Sequence, residues 1–416
     1  MYTLFYRKKS IFAFIFLVII QLFAVFLIFI CFSRGTWISL LLSTIIFLIV
    51  RYRKTHRPII KKVLVPFLIL IIPIGIHLYN LKPVSANGRI LIWKISSGII
   101  KDNPLFGIGE GNFAYSFLNH QHEYFQSLEN IKRYGSIISD IRFAFNDILH
   151  LLVEDGILGL SIFLLLLFIV TKMLYSIIKS SIDPKKRTFA FELLLMLCIL
   201  ILGGLTSYPL SLIPFKAIIV AIFALTVNTY LSTVSNNAIS TLTKNKTLLL
   251  STISILTSII LIFNVQRTYC ALISWRDSVV YSDHLQLAKL RELTSVLSND
   301  GYFLYYIGTR YLQNKDYVKA INYFKKAKLL YPHKDVYLQL ANANIKMNDI
   351  RAAELEYKFL LSSFPNEIDF YSAIAHFYNE SKEYKALEKI KERVQLLTPK
   401  GNAIPFERKR KEIINL

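Results

Sequence analysis

Side chains capable of acid or base chemistry are concentrated in "FNDILHLLVEDG", where Asn146, Asp147, His150 and Glu154 follow one another. Residues three, four and seven positions apart lie on one face of an α-helix, so the spacing predicts that these side chains share a face. A carboxylate or an imidazole there could take a proton from an attacking hydroxyl group. The same groups often cap or hydrogen-bond the start of a helix, so Asp147, Glu154 and His150 remain alternative bases.

Arginine is the second residue type that could take part in chemistry. Arg34 lies in "CFSRGTWISLLLS" between two apolar runs, Arg89 lies in "NGRILIW", and Arg142 is close to Asn146 in sequence. A guanidinium group binds a phosphate oxygen pair through two parallel hydrogen bonds. It also serves as an interfacial anchor, because a charge inside the bilayer is costly. Arg34 is therefore expected in an outward-facing turn at the lipid–water boundary.

Two other motifs are weak evidence for a metal site or a nucleotide site. His120 and His122 in "NHQHEY" could bind a metal ion, but a single such pair in a polar loop is more often solvated. The stretch "GIGEG" at 107–111 lacks the order of a nucleotide-binding fingerprint and follows no predicted strand, which favours a tight turn. The three cysteines are scattered and indicate neither a disulfide framework nor a zinc site.

The elements that position these residues belong to a membrane protein by composition. The 416 residues are 54% hydrophobic and only 18% charged. The net charge of +22 could suggest nucleic acid, but many basic residues lie beside apolar runs, at 7–9, 51–62 and 172–187. Such blocks are typical of cytoplasmic membrane loops, so no nucleic-acid partner is expected.

Seven apolar runs are long enough to cross a bilayer, at 11–32, 36–50, 63–80, 157–178, 189–206, 211–231 and 248–266. With a cytoplasmic N-terminus, the basic blocks face the cytoplasm, and the loops at 33–35, 81–155 and 207–210 face outward. The odd number of spans places the C-terminal region outside as well. We therefore expect an all-α fold, with a transmembrane domain at 1–266 and a second domain at 267–416.

The long outer loop at 81–155 contains two helical patterns. The apolar face of the first is formed by Ile90, Trp93, Ile95 and Ile99. This helix is expected to begin at Arg89 and to end at Asn103, before a proline. The second helix, which holds Asn146, is expected to enter the membrane at Gly156. Loops of this length are usually functional or disordered, and the aromatic content of this one argues against disorder.

The region at 267–416 is polar and repetitive. The stretch "YFLYYIGTRYLQNKDYVKAINYFKKAKLLYP" has the offsets of a tetratricopeptide helix pair, at Leu304, Gly308, Tyr311, Ala320, Phe324, Ala327 and Pro332. The pattern recurs at Ala353, Tyr357 and Pro365, and more weakly at Ala386, Ile390 and Pro399. Small residues allow two helices to approach closely, and prolines stop the second helix. This predicts an α-solenoid that acts as a packing scaffold or binds a protein of the cell envelope.

Three blocks, in order, resemble the O-antigen ligase family of bacterial membrane proteins: "SRGTW", "NGRILIWKISSGIIKDNPLFGIGEGNF" and "FNDILHLLVEDGILGL". Together they cover about 33–160. The resemblance implies transfer of glycan from an undecaprenyl-diphosphate carrier to an acceptor such as lipid A-core, at the periplasmic face of the inner membrane. It implies no nucleotide, cofactor or metal ion.

The resemblance also suggests roles for individual residues. Arg34 and Arg89 match the functional arginines of the family and would bind the departing diphosphate. With the side chains chosen from the sequence itself, the candidate catalytic residues are Arg34, Arg89, Asn146, Asp147 and Glu154. The candidate substrate-binding residues are Arg142, which is recommended by its nearness to Asn146, together with Trp93 and His150.

The sequence departs from the family pattern in two respects. Many members carry H-x-H-N where this chain has Phe143-Ala144-Phe145-Asn146, so the expected histidine base is absent. Members usually also have more helices before "SRG", and these are expected to be missing here. Three functions therefore remain open: a ligase, an oligosaccharide polymerase of the same superfamily, and an inactive membrane anchor that displays the repeats.

Overall fold

The computed structural model describes residues 11–30, 34–52, 80, 83–234, 263, 265–277, 283–399 and 403–416. Throughout these ranges the chain forms helices joined by turns, without strands. The predicted spans at 63–80 and 248–266 lie outside the described residues, apart from a few positions at their ends. The all-helical fold class is confirmed for the described part of the chain.

Within the described residues before 235 there are nine α-helices: α1 (Ile11–Ile30), α2 (Arg34–Tyr52), α3 (Pro83–Asp102), α4 (Phe113–Tyr124), α5 (Leu128–Tyr134), α6 (Asp147–Glu154), α7 (Gly156–Ser180), α8 (Pro184–Gly204) and α9 (Ile213–Val234). A 3₁₀ turn at Pro209–Ser211 lies between α8 and α9. The later helices are α10 (265–277), α11 (Asp283–Leu297), α12 (Gly301–Gln313), α13 (Tyr317–Leu330), α14 (Lys334–Lys346), α15 (Ile350–Ser363), α16 (Ile368–Glu380), α17 (Tyr384–Gln395) and α18 (Ala403–Ile414).

The chain divides into two compact units that are not contiguous in sequence. The first comprises Met1–Arg89, Pro104–Gly107 and Phe143–Thr241, and the second comprises Ile90–Asn103, Ile108–Arg142 and Leu242–Leu416. Most of the long loop therefore belongs to the same unit as the C-terminal helices. The domain boundary expected near residue 267 remains a prediction.

Three described helices are long and apolar enough to cross a membrane, at Gly156–Ser180, Pro184–Gly204 and Ile213–Thr233. They overlap the predicted spans at 157–178, 189–206 and 211–231. The middle helix begins five residues earlier than predicted, because Pro184 occupies its first turn and Asp183 Oδ1 accepts a hydrogen bond from Lys185 N at 2.9 Å. Helices α1 and α2 correspond to the predicted spans at 11–32 and 36–50.

The core of the first unit lies between α7, α8 and α9. Its buried side chains are aliphatic: Val170, Leu174, Ile177, Ala190, Leu193, Leu197, Leu200, Ile219 and Ile222. Since lipid is as apolar as these side chains, close packing rather than the hydrophobic effect holds membrane helices together.

Small residues bring α2 against the end of α8. Gly35, Ser39 and Ser43 recur every four residues along α2, and both serines are buried. A Cβ atom on Gly35 would clash with the Thr206 hydroxyl, so the two backbones meet closely at this point. Small residues at a four-residue spacing are typical of such close helix contacts in membranes.

A sharp break separates α6 from α7. A membrane-length helix begins at Gly156, as expected, but it does not continue α6, because Asp155 ends α6 and Gly156 has a φ of 66°. The first amides of α7 are satisfied from the "NPLFG" turn: Ile157 N donates to Pro104 O at 2.9 Å, and Leu158 N donates to Leu105 O at 3.2 Å. A Cβ atom on Gly107 would lie 2.6 Å from Gly156 N, so the backbone of the turn is in direct contact with the backbone between α6 and α7.

The C-terminal helices of the second unit form a repeated arrangement. Lys315, Asn348 and Lys382 each follow a helix with a φ near 60°, and they are 33 and 34 residues apart. The next residue in each case donates its amide to a carbonyl five positions back, from Tyr311, Asn344 and Tyr378. Small residues lie between neighbouring helices: Ala320, Ala327 and Ala353 are fully buried. The helices therefore stack as similar pairs.

Two loop helices pack within this second unit. Helix α4 lies against α13 and α15. Gln121 Nε2 donates to Ser363 O at 2.8 Å, while the His122 ring stacks on Phe359 with a centroid distance of 4.8 Å and contacts Ser362 Oγ at 2.5 Å. The C-terminal helices thus hold a segment more than 200 residues away in sequence.

Helix α3 corrects two expectations for the long loop. It begins at Pro83 rather than at Arg89, because proline is well accommodated in the first helical turn. Its buried face consists of Leu91, Ile92, Ile95, Ser96 and Ile99. Trp93 lies outside this face with 37% of its surface exposed, so the predicted apolar stripe was only half correct.

Candidate functional site

Asp147 is the buried carboxylate at the centre of the candidate site in the first unit. It is the first residue of α6, and only 2% of its surface is exposed. Its Oδ2 accepts a hydrogen bond from Leu210 N at 3.1 Å, and a Cβ atom on Gly204 would lie 2.5 Å from the same oxygen. Its Oδ1 is buried and accepts no hydrogen bond from any described residue. A buried oxygen without a protein partner is uncommon and marks Asp147 as a candidate functional residue.

Burial raises the pKa of Asp147 from 3.8 to about 6, because removal from water disfavours the charged carboxylate. The Leu210 hydrogen bond and the nearby His150 act in the opposite direction and are outweighed. A carboxyl group with a pKa close to the working pH is suited to exchange a proton with a reacting group.

His150 and Glu154 extend the site along the same helix. His150 Nε2 lies 3.3 Å from Glu154 Oε2, and both side chains are buried. Asn146 has a different role, because its Oδ1 accepts a hydrogen bond from Leu149 N at 3.1 Å and caps α6. Asp147, His150 and Glu154 therefore face the interior together, while Asn146 holds the end of the helix.

An aromatic cluster lies beside these polar residues. The Phe143 ring stacks on Tyr208 at 4.3 Å and lies 5.9 Å from the ring of His150, while Phe145 meets Tyr208 edge-on at 5.1 Å. Phe145 has a φ of 52°, an uncommon conformation for a bulky residue that costs about 1–3 kcal/mol. The surrounding structure therefore holds the Phe145 ring in place against its backbone preference.

Arg89 joins the site through this cluster. Its guanidinium carbon lies 5.8 Å from the centre of the Phe145 ring. A cation over an aromatic face is attracted by the electron density of the ring. Arg89 is half-buried, which strengthens its interaction with any anion that it meets.

Arg34 is the first residue of α2 rather than part of a turn. The next residue, Gly35, packs against Thr206. Gly204 lies two residues before Thr206 and packs against Asp147. The start of α2 is therefore next to the segment that covers Asp147. The structure thus gathers the backbone of Arg34 and the side chains of Arg89, Asp147, His150 and Glu154 in one region of the first unit.

The remaining predicted site residues lie elsewhere. Arg142 and Trp93 belong to the second unit. His120 pairs with Asp102, with 2.9 Å between Nε2 and Oδ2, and His122 contacts Ser362. No group of three or more metal-ligating side chains occurs within the described ranges.

The sequence analysis missed Tyr208 and the amide of Leu210. Both lie in the short "SYPL" connection between α8 and α9, about 60 residues after Asp147 in the chain. The signal that could have found them is the small-residue pattern on α2 and the Gly203-Gly204 pair. Together these residues indicate close packing at the end of α8.

Fold and site together define a helical membrane protein with a buried carboxyl group of raised pKa. Residues 16–164 match the family model described as O-antigen ligase, which supports a membrane glycosyltransferase-like ligase or polymerase function for this segment. The matched segment contains Arg34, Arg89 and Asp147 and ends before Tyr208. In general terms the family acts on a lipid-linked glycan and a glycan acceptor. No curated protein matches the chain.

Proposed function

We propose that this protein transfers a glycan from an undecaprenyl-diphosphate carrier to an acceptor such as lipid A-core, at the periplasmic face of the inner membrane. The observation that carries the proposal is Asp147, a buried carboxyl group with a raised pKa and one oxygen that accepts no hydrogen bond from any described residue. It lies in the segment that matches the O-antigen ligase family.

In the proposed reaction, Asp147 acts as the general base. Its carboxylate takes the proton of an acceptor hydroxyl while that oxygen forms a bond to the anomeric carbon of the donor sugar. The bond from this carbon to the diphosphate breaks at the same time, and undecaprenyl diphosphate leaves with the electron pair. Asp147 thus fills the role of the histidine that Phe143 and Phe145 replace in the family pattern.

Arg34 and Arg89 would stabilise the departing diphosphate. A planar guanidinium binds two phosphate oxygens at once, and a partly dry site strengthens this interaction as negative charge develops. Arg89 is half-buried and fixed over Phe145, which supports this role. Glu154 pairs with His150 and would orient the imidazole toward the substrate.

The repeated helix pairs are proposed to be tetratricopeptide repeats in a periplasmic domain. The spacing of 33 and 34 residues between equivalent helix ends supports this assignment. Helix α13 stops at Leu330, before Pro332, and α15 stops at Ser363, before Pro365, as the repeat pattern requires. This array would hold the outer loop and present a surface to an envelope partner.

The test is glycan transfer in a bacterial host that lacks its own ligase. Wild-type protein is expected to attach glycan to lipid A-core, detected as a ladder on a gel of extracted lipopolysaccharide. Asp147→Ala is expected to abolish transfer. Arg89→Lys and Arg34→Lys should each lower it on the order of 100-fold, because lysine keeps the charge but loses the two-pronged contact.

Matched controls come from the first unit. Asp183→Asn alters a helix cap and Arg187→Lys alters a cation outside the site, and both should leave transfer unchanged. Transfer that survives Asp147→Ala would refute the base assignment. Lipid-linked glycan that grows longer without reaching lipid A-core would identify the protein as a polymerase. Membrane insertion without either product would identify it as an inactive anchor.

A further inference from the structure

The second unit contains a cavity of about 810 Å³ that the proposed reaction does not use. It lies between α10, the connection from α11 to α12 and the end of α13, and Arg142 reaches it from the outer loop. A volume between 300 and 1,000 Å³ is typical of pockets that bind small molecules. The cavity therefore has room for a ligand of a few sugar rings.

Arg142 and Tyr331 form one wall of the cavity. The guanidinium carbon lies 4.8 Å from the centre of the Tyr331 ring, and no carboxylate among the described residues forms an ion pair with Arg142. The neighbouring loop is pinned, because Asp140 Oδ1 accepts a hydrogen bond from Lys334 N at 3.2 Å and Asp140 Oδ2 lies 3.4 Å from His333 Nε2. Arg142 is thus a fixed cation beside a cavity.

The lining next to Tyr331 combines an aromatic face with hydrogen-bonding groups. Tyr302 is 51% exposed, and its ring meets Tyr331 edge-on at a centroid distance of 5.5 Å. Asp300 caps α12, where Oδ1 accepts a hydrogen bond from Phe303 N at 2.9 Å, and Asn299 lies next to it in the lining. Leu272 and Leu330 supply apolar surface between these polar groups.

A ligand that satisfies this lining must have three properties. It needs an apolar face to stack on Tyr302, hydroxyl groups to donate to Asp300 and Asn299, and a negative charge to pair with Arg142. A simple anion fails, because Asp300 repels it and nothing then contacts the aromatic wall. A neutral sugar leaves Arg142 without a negatively charged partner. A uronic acid combines the three properties in one ring.

We propose that this cavity binds an acidic oligosaccharide that contains uronic acid residues. Such a site lies in the second unit and holds the glycan without reacting with it. Binding does not depend on the proposed transferase activity, although its use in presenting a glycan substrate rests on that proposal.

The test is a titration of the detergent-purified full-length chain with trigalacturonic acid, followed by saturation-transfer NMR, with maltotriose as the neutral counterpart. Trigalacturonic acid is expected to bind at least about tenfold more tightly than maltotriose. An increase from about 50 to about 500 mM NaCl should weaken only the acidic ligand, because salt screens the Arg142 contact.

Two variants and one matched control test the residues. Arg142→Gln should reduce trigalacturonic acid binding about tenfold, to the level of maltotriose. Tyr302→Ala should weaken the binding of both trigalacturonic acid and maltotriose about tenfold, while Arg142 stays in place. Arg133→Gln is the control, because Arg133 is an exposed cation 5.3 Å from the centre of the Tyr134 ring, in the same unit but outside the cavity lining.

Three results would overturn the proposal: no binding of trigalacturonic acid to the wild type, equal binding by Arg142→Gln, or an equal loss with Arg133→Gln. The outcome is separate from that of the transferase proposal, because no lipid-linked donor is present. An Asp147→Asn chain is expected to bind trigalacturonic acid as tightly as the wild type.

Discussion

Replacement of Asp147 by asparagine is expected to change how the stability of the first unit depends on pH. The folded state holds this carboxyl group with a pKa of about 6, above its ordinary value of 3.8. Between these two values the folded protein binds more protons than the unfolded chain. Stability due to Asp147 is therefore fully present below about pH 4 and is lost as the pH rises through about 6.

The size of this effect follows from the same two pKa values. A difference of about 2 corresponds to an upper limit of about 3 kcal/mol, at 1.36 kcal/mol for each pKa unit. Relaxation of the surrounding side chains and water penetration around the buried charge lower this to about 1–2 kcal/mol. The asparagine side chain would not ionise, and its oxygen could still accept the Leu210 hydrogen bond, so the Asp147→Asn variant should lose no stability over this pH range.

The assay follows thermal unfolding of the first unit by tryptophan fluorescence. The chain has three tryptophans, of which Trp93 and Trp275 belong to the second unit. A Trp93→Phe and Trp275→Phe background leaves Trp37, on α2, as the reporter. Between about pH 4.5 and about pH 7.5 the melting temperature should fall by about 2–8 °C with Asp147 present, on the scale of 2–4 °C per kcal/mol for a unit of this size.

Asp183→Asn in the same background serves as the control, because Asp183 is exposed at the start of α8. It should reproduce the pH dependence of the parent protein. An identical pH dependence in the Asp147→Asn chain would show that Asp147 is ionised normally in the folded state. That result would remove the physical basis for its assignment as a base near neutral pH.

Two further predictions concern packing. Gly107→Ala should destabilise the first unit by more than about 2 kcal/mol, because the new methyl group would clash with the backbone at Glu154 and Gly156. The control is Gly111→Ala, which should cost only about 1–2 kcal/mol, because Gly111 has a similar φ but open space around it. Comparable melting temperatures for the two variants would refute this. Gln121→Leu should speed amide hydrogen exchange in α4 and α15 by about tenfold, because Ser363 O would lose its buried hydrogen-bond donor. The control is Gln126→Leu, at an exposed position just after α4, which should leave the exchange rates unchanged. Unchanged exchange in the Gln121→Leu chain would argue against docking of α4 on α15.

Local patterns in the sequence were sufficient to predict much of the fold. The apolar runs at 157–178, 189–206 and 211–231 each correspond to a membrane-length helix. Their ends were less certain, because a cap such as Asp183 can extend a helix well beyond the apolar run. The small and aromatic positions of the C-terminal region were also readable, since a helix pair leaves room only for residues such as Ala320 at its closest approach.

The long-range contacts were not readable from the sequence. Nothing in the stretch 113–124 indicates that α4 packs on helices near residue 360, because the pairing depends on the shape of both partners. The candidate site has the same limitation. The spacing of Asp147, His150 and Glu154 predicted a shared face, yet the raised pKa of Asp147 depends on burial against Leu210 and the end of α8, which only the tertiary fold brings there.

The aromatic residues at 143 and 145 and the buried Asp147 form a consistent set. Imidazoles at those positions would bring hydration and charge beside α6, whereas Phe143 and Phe145 form an apolar cluster with Tyr208. An apolar surrounding raises the pKa of a neighbouring carboxyl group. A carboxyl group with an ordinary pKa of 3.8 is a weak base, but one with a pKa of about 6 can accept a proton effectively near neutral pH. Under the proposed mechanism, the acid–base role that the family pattern gives to histidine falls to Asp147, two residues after Phe145.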